Sequence, residues 1–212
     1  MSLYNITIQK AGVRFNRNWI FRNLDLQIKA SEKWVITGSN GSGKSTLLHM
    51  ISGRIWPSEG KISFTDIQGH DADQSSIYKL ISMAAPYIEL IEEFDLMQLT
   101  QFVNGHMNFH EGRGVKEIID LMQLPNTGTK AIKHFSSGMK QRVKLTYAIM
   151  ADRPVLLLDE PCSNLDEKAI AWYQEMVNSY ANHKTIIVCS NNQTEEYPFC
   201  TNEYSTTMFQ QK

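Results

Sequence analysis

Apolar and polar residues alternate over residues 3–36 in the pattern of half-buried β-strands. We expect Gly12 and residues 16–18 to form turns between these strands. The pattern therefore predicts an antiparallel β layer at the start of the chain. The apolar positions that define it are Leu3, Ile6, Ile8, Val13, Phe15, Ile20, Phe21, Leu24, Leu26 and Ile28.

Short apolar runs alternate with helical periodicity along the rest of the chain, a succession that is typical of α/β domains. The run at 155–158 is apolar throughout, as expected for a strand of a parallel sheet covered on both faces. Residues 96–124 have the amphipathic spacing of helices around a loop at 112–114, and we expect them to form a helical lobe. Strands are predicted at 33–37, 61–64, 80–85, 155–158 and, as a last buried strand, 185–190, and helices at 47–52, 143–150 and 167–180.

The composition narrows the classes of partner and compartment. The 212 residues carry 21 Lys and Arg against 22 Asp and Glu, a formal charge of −1, so no overall basic field points to nucleic acid. Cys162, Cys189 and Cys200 include no C-x-x-C pair, which argues against a disulfide framework or a zinc site and favours buried thiols. Neither a signal peptide nor an apolar run of ~20 residues is present, so we expect a cytoplasmic chain whose membrane spans, if it needs any, belong to another chain.

A glycine-rich segment follows the predicted strand at 33–37 and opens a predicted helix, the context of a phosphate-binding loop. Glycines there let backbone N–H groups curl around an anion, and the helix N-terminus faces the same anion. Lys44 is expected to reach the β- and γ-phosphates, Ser45 to ligate Mg²⁺ and Thr46 to bond the α-phosphate. The alternative is a Gly/Ser-rich surface turn that precedes a lysine by chance. The segment reads Gly38, Ser39, Asn40, Gly41, Ser42, Gly43, Lys44, Ser45 and Thr46.

An aromatic residue about two dozen positions before the phosphate loop could stack on an adenine ring, because every base offers a π-face. Phe15 is the first candidate and Trp19 the second. The competing interpretation is that both are ordinary core aromatics. The sequence leaves these two alternatives open.

Three further motifs follow the loop in a fixed order. Phe135–Arg142 places Ser-x-Gly before a helix, the apolar strand ends in Asp159-Glu160-Pro161, and a Ser-x-Leu-Asp turn ends at Asp166, which can cap the next helix. In this order the chain resembles the nucleotide-binding domain of ATP-binding cassette (ABC) ATPases over nearly its whole length. The resemblance implies a P-loop NTPase fold with a mostly parallel central sheet, an N-terminal antiparallel β layer and an inserted helical subdomain. We expect one domain over 1–212, with 1–86 and 143–212 as the nucleotide-binding core and 87–142 as the helical subdomain.

The resemblance also implies roles for the motif residues. Asp159 would hold the water shell of Mg²⁺, and Glu160 would be the general base for the attacking water. Ser136 and Gly138 would meet the γ-phosphate bound by a second copy of the domain, so that ATP is sandwiched between two chains. Asp166 would belong to the turn that passes between the two sites.

Two positions depart from the family pattern. Tyr87 follows Pro86 where the family has a glutamine that touches Mg²⁺ and the attacking water. Asn191 stands where the family has a histidine that contacts the γ-phosphate. A phenol lacks the amide carbonyl and an asparagine carries no charge, so we expect slower hydrolysis than in a fully matched domain.

The leading functional prediction is an ATP-hydrolysing subunit of an ABC transporter that uses ATP and Mg²⁺. Its expected partners are a second copy of itself, or a homologous ABC domain, and an integral membrane permease that holds it at the inner face of the membrane. The alternatives are a soluble non-transport ABC ATPase, for example of the iron–sulfur assembly type, and a nucleotide-binding module with slow turnover.

Overall fold

The computed structural model describes residues 2–125 and 127–210. The chain divides into two compact units, the first comprising Met1–Ser82, Arg153–Glu160 and His183–Lys212 and the second Met83–Asp152 and Pro161–Asn182. The second unit therefore contains 143–152 and 161–182 in addition to the predicted helical lobe. The division into a core at 1–86 and 143–212 and a subdomain at 87–142 stays a prediction.

The first unit contains an antiparallel sheet in the order β2–β1–β4, which confirms the β layer expected from the alternating pattern. Its strands are β1 (Tyr4–Phe15), β2 (Asn18–Ile28) and β4 (Glu59–Asp66). The prediction of a turn at Gly12 is wrong, because β1 continues through this residue with irregular pairing to β2 and β4. A Cβ at Gly12 would lie 2.8 Å from the Trp19 ring, so close packing, not chain reversal, explains the glycine.

The second sheet has the order β5–β6–β7–β3–β8. Strand β3 (Lys33–Thr37) pairs in parallel with β7 (Thr185–Ser190), and β7 pairs in parallel with β6 (Val155–Asp159). The edge strand β5 spans Ile81–Ala84. All residues of β6 and β7 are buried, as the apolar runs predicted. The register brings the carboxyl ends of β3, β6 and β7 to one edge, where open α/β sheets place their ligands.

The prediction that β7 is the last buried strand is confirmed, but one further strand, which is not buried, follows it. Strand β8 (Asn202–Ser205) pairs in parallel with β3, and a 3₁₀ helix, Thr206–Gln210, follows it. The four residues of β8 include no aliphatic side chain and none is fully buried. An edge strand of this kind is held mainly by backbone hydrogen bonds, so it leaves little periodic signal in the sequence.

Five α-helices are found in the described residues. Helix α1 (Lys44–Ile51) belongs to the first unit, and the others belong to the second unit. Helices α2 and α3 lie within the segment 96–124 that was predicted to be helical. The helices of the second unit are α2 (Leu96–His106), α3 (Val115–Leu121), α4 (Ser137–Met150) and α5 (Glu167–Tyr180).

Local sequence signals explain where these helices begin. Asp95 and Gln98 form a capping box at the start of α2, in which each side chain accepts from the other residue's backbone N–H. Asp166 caps α5 by accepting from the Ala169 N–H at 2.8 Å, as predicted. Inside the second unit, Thr100 of α2 bonds the Tyr147 hydroxyl of α4 at 2.8 Å.

The part of the chain that the structure describes contains neither a helix that could cross a membrane nor a disulfide bond. None of the helices at 2–125 and 127–210 combines the length and the apolar character needed to cross a bilayer. Cys162 and Cys189 are buried, as expected, whereas Cys200 is partly exposed.

Candidate functional site

The glycine-rich segment forms a loop between the end of β3 and the start of α1. Gly41 and Gly43 have φ of 77° and 99°, in the left-handed region that favours glycine. A Cβ at Gly41 would meet nothing within 4 Å, so the backbone conformation, not crowding, accounts for this glycine. Helix α1 begins at Lys44 with no side-chain cap, and its first N–H groups are available to an anion.

Lys44 is buried at 5% exposure and its ammonium group faces the loop. The Nζ atom donates to the carbonyl oxygens of Gly38 at 2.7 Å and Ser39 at 3.0 Å. These bonds keep the charge satisfied inside the loop, and a phosphate oxygen would compete for the same donors.

One cavity of about 260 Å³, which we call the loop cavity, lies between the phosphate loop and the end of β6. The residues that sequence motifs assigned to phosphate binding and to the general base therefore face a common space. The cavity also includes Ile20 of β2, which the sequence reasoning had assigned only to a strand. Its lining residues are Ile20, Asn40, Gly41, Gly43, Lys44, Ser45, Thr46 and Glu160.

Asp159 ends β6 with only 3% of its surface exposed. Burial raises the pKa of its carboxyl group, the nearby Glu160 adds to this effect, and a hydrogen bond with Ser45 and the charge of Lys44 oppose it. A carboxylate beside a hydroxyl is a hard oxygen pair of the kind that Mg²⁺ takes together with phosphate oxygens. Within residues 2–125 and 127–210, no three His, Cys, Asp or Glu side chains gather as metal ligands, so a cation here would depend on such phosphate oxygens.

Glu160 follows directly with a left-handed backbone, φ 46°, which is uncommon for a residue with a Cβ. Its N–H donates to the Cys189 carbonyl oxygen of β7 at 2.9 Å. Strained backbone of this kind persists where the surrounding structure holds it, and it is concentrated at functional sites. The turn directs the Glu160 side chain into the cavity beside Lys44 and Ser45.

A second cavity, of about 400 Å³, lies in the second unit at the N-terminus of α4, and we call it the α4 cavity. It is lined by residues that include Ser136, Gly138 and Asp166, so the structure brings together the motif residues for which the resemblance implied contact with a second copy. The Ser136 hydroxyl accepts from the Met139 N–H at 3.2 Å and caps α4. A Cβ at Gly138 would lie 2.8 Å from the Asn164 carbonyl oxygen, so only glycine permits this approach.

Seven predicted site residues line neither cavity. Four of them belong to the phosphate loop or to the end of β6, namely Gly38, Ser39, Ser42 and Asp159. The other three, Phe15, Asn191 and Tyr87, lie elsewhere. Phe15 is 52% exposed at the end of β1, so the interpretation of Phe15 as a core aromatic is wrong and its role in stacking stays a prediction. Asn191 is exposed in the turn after β7, in the first unit. Tyr87 belongs to the second unit and is 39% exposed, with its hydroxyl 3.9 Å from the Met83 sulfur. The roles of Asn191 and Tyr87 also stay predictions.

Sequence reasoning missed the 206–210 helix, which packs against the phosphate loop. The Thr206 hydroxyl lies 2.7 Å from the Ser42 hydroxyl oxygen, and the Phe209 ring would lie 3.5 Å from a Cβ at Gly43. No motif marks either residue. Their roles depend on a contact between distant parts of the chain.

Comparison with known proteins agrees with this geometry. The family model described as ABC transporter matches residues 21–163. The cytochrome c biogenesis ATP-binding export protein CcmA of Agrobacterium fabrum is 29% identical over 192 residues, 89% of each chain. The lipoprotein-releasing system ATP-binding protein LolD of Ehrlichia ruminantium is 28% identical over 189 residues, 85% of this chain and 83% of that protein.

The fold also matches a solved structure. A putative ABC transporter ATP-binding protein from Pyrococcus furiosus superposes with a TM-score of 0.79 at 18% identity, over 97% of this chain and 98% of that one. This likeness supports the P-loop NTPase fold predicted from the sequence. By its family match and its curated relatives, the chain belongs to the ABC transporter family, among the ATP-binding subunits.

Proposed function

We propose that this chain binds Mg²⁺ and ATP in the loop cavity and hydrolyses the nucleotide in a dimer that drives a separate membrane permease. ATP-binding subunits of this family are ATPases. The named relatives act in export and in lipoprotein release, which favours a transport role over iron–sulfur assembly. The observation that carries the proposal is that Lys44, Ser45, Thr46 and Glu160 line one cavity. Ser45 is also hydrogen-bonded to the Asp159 carboxyl group.

The loop backbone, Lys44, Glu160 and the pair of Ser45 and Asp159 have distinct tasks in the proposed hydrolysis. The loop N–H groups and Lys44 bind the phosphates and neutralise the charge that develops on them in the transition state. Glu160 accepts a proton from the attacking water and orients it toward the γ-phosphate. When bound, Mg²⁺ adds further neutralisation of the phosphate charge, and Ser45 and Asp159 are the residues that would hold it.

The α4 cavity supplies the other half of the proposed sandwich. Ser136 caps a helix of 14 residues whose N-terminus lines this cavity beside Gly138. The N-terminus of a helix attracts anions through its unpaired N–H groups and dipole. We infer that this surface of one copy contacts the γ-phosphate held by the loop of another copy.

A groove of about 600 Å³ in the second unit is the proposed contact for the permease. Partly exposed Ile88, Leu90 and Ile91 line it, and exposed Glu89 and Glu93 add negative charge. An apolar segment with flanking Lys or Arg, from the cytoplasmic side of a permease, has the complementary chemistry. The groove is lined in addition by Pro86, Glu92, Lys140 and Lys144.

We expect the double variant Glu89→Lys/Glu93→Lys to lose the permease without losing basal ATP hydrolysis. Reversing two exposed charges creates repulsion against a basic partner and leaves the loop cavity untouched. The tagged chain is expressed in its native host and purified from solubilised membranes, and the integral membrane protein that copurifies with it is quantified. Glu167→Lys, an exposed acid outside the groove, is the matched control. Equal recovery of the membrane protein with the double variant would contradict the groove as its docking site.

We also expect Tyr87→Gln and Asn191→His to raise kcat by about tenfold to a hundredfold each. An amide carbonyl or an imidazole would restore a polar contact that strengthens in the transition state. Steady-state phosphate release at saturating MgATP measures the change. An unchanged kcat in both variants would show that these two residues do not limit turnover.

A further inference from the structure

We propose that Thr206 is a positioning residue for the phosphate loop and that the 206–210 helix pre-organises this loop for nucleotide binding. The inference rests on the proposed function, because it assigns to this helix a part in the same nucleotide site. Nothing in the loop motif itself points to it.

The Thr206 hydroxyl bonds the loop at two places. It lies 3.1 Å from the Thr37 carbonyl oxygen, just before the loop, and 2.7 Å from the Ser42 hydroxyl oxygen, near its end. Thr206 is 1% exposed, so these bonds are shielded from water. One side chain therefore ties together the two ends of the turn that must surround the phosphates.

Gly38 permits this contact. A Cβ at this position would lie 1.8 Å from the Thr206 Oγ1 atom and 2.8 Å from the Ser42 Oγ atom. The first glycine of the motif thus leaves room for the threonine as well as for the curl of the loop.

Phe209 anchors the helix that carries Thr206. Its ring stacks on Phe21 of β2 with centroids 4.8 Å apart and an angle of 28° between the planes. It also packs near Tyr204 of β8, at 5.8 Å, and lies beside the backbone of Gly43. Because Phe21 is buried in the antiparallel sheet, the helix is anchored on a buried part of the first unit.

These contacts matter because a loop of glycine and serine has many conformations when nothing holds it. A ligand that must order the loop loses affinity, whereas a loop already held in the binding conformation does not. Removing the Thr206 hydroxyl should therefore weaken nucleotide affinity more than it slows turnover at saturating nucleotide.

The experiment compares Thr206→Val, which removes the hydroxyl at nearly constant shape, with Thr206→Ser, which restores it. Thr207→Val is the matched control, because Thr207 is exposed and bonds Ser205 instead of the loop. We expect Thr206→Val to raise the Kd for MgATP, by calorimetry, and the KM by about tenfold, with kcat within about threefold of the starting protein. Thr206→Ser and Thr207→Val should keep the original values.

Hydrogen exchange provides a second measurement that does not depend on turnover. Amides of residues 38–43 should exchange faster in Thr206→Val than in Thr206→Ser. If Thr206→Val does not fold, Phe209→Ala tests the same helix through its anchor and should raise the Kd in the same direction. An unchanged Kd in the folded variants, or a loss in Thr206→Ser as large as in Thr206→Val, would overturn the inference.

The inference and the proposed function fail differently. If Lys44→Met abolishes MgATP binding while Thr206→Val leaves it intact, only the positioning role is wrong. If Lys44→Met also leaves MgATP binding intact, the nucleotide site itself is wrong.

Discussion

Replacing Glu160 with glutamine is expected to lower steady-state ATP hydrolysis by at least about 100-fold while MgATP binding persists. Glutamine has nearly the same shape but cannot accept the proton of the attacking water. The strained backbone at φ 46° already directs this side chain into the cavity beside Lys44 and Ser45, so the substitution removes the base without moving its neighbours. Release of phosphate measures turnover, and calorimetry measures binding.

The same variant should accumulate as a nucleotide-bound dimer. Hydrolysis is the step that would reopen the sandwich, so Glu160→Gln with saturating MgATP is expected to elute as a dimer in gel filtration with light scattering. Adding Gly138→Ala should return it to a monomer that still binds MgATP, because the new Cβ would lie 2.8 Å from the Asn164 carbonyl oxygen and distort the α4 cavity. Finding only monomer with Glu160→Gln alone would contradict the sandwich.

Lys44→Met is expected to weaken MgATP binding by about 100-fold or more. The variant keeps the aliphatic stem but removes a buried ammonium group, and each charge-assisted hydrogen bond lost to a phosphate costs about 1.5–3 kcal/mol. It also frees the carbonyl oxygens of Gly38 and Ser39, which the Nζ atom bonds in this structure. Isothermal calorimetry with MgATP gives the change in Kd directly.

The control for this variant is Lys61→Met, at an exposed position of β4. It removes the same charge from the same unit and should leave the Kd unchanged. Equal affinity in Lys44→Met and Lys61→Met would mean that the lysine of the loop does not hold the nucleotide.

Sequence reasoning identified the lining residues of the loop cavity except Ile20. The spacing from Gly38 to Thr46 and the apolar strand before Asp159 are local patterns, and the structure brings both to one edge of the sheet. Ile20 lines the same cavity because β2 carries it there. Nothing in the alternation of β2 distinguishes this position from its neighbours.

Phe15 and Gly12 are positions at which the residue type alone did not decide the structural role. For Phe15 the sequence left two alternatives, stacking on an adenine ring and burial in the core, and its 52% exposure excludes burial. Gly12 was read as a turn because glycine favours turns, yet it lies inside β1 against Trp19. A residue type alone does not reveal whether a glycine serves a turn or a close contact.

By itself, the sequence determined the strands and helices up to β7, the phosphate loop and the cap of α5 at Asp166, because periodicity, glycine and capping act over a few neighbouring residues. Only the tertiary structure decided that β8 pairs with β3 and that Thr206 bonds the Thr37 carbonyl oxygen, 169 positions away. Backbone pairing is available to almost any residue, and a contact between distant segments depends on how the whole sheet assembles. Such features leave no local pattern to read.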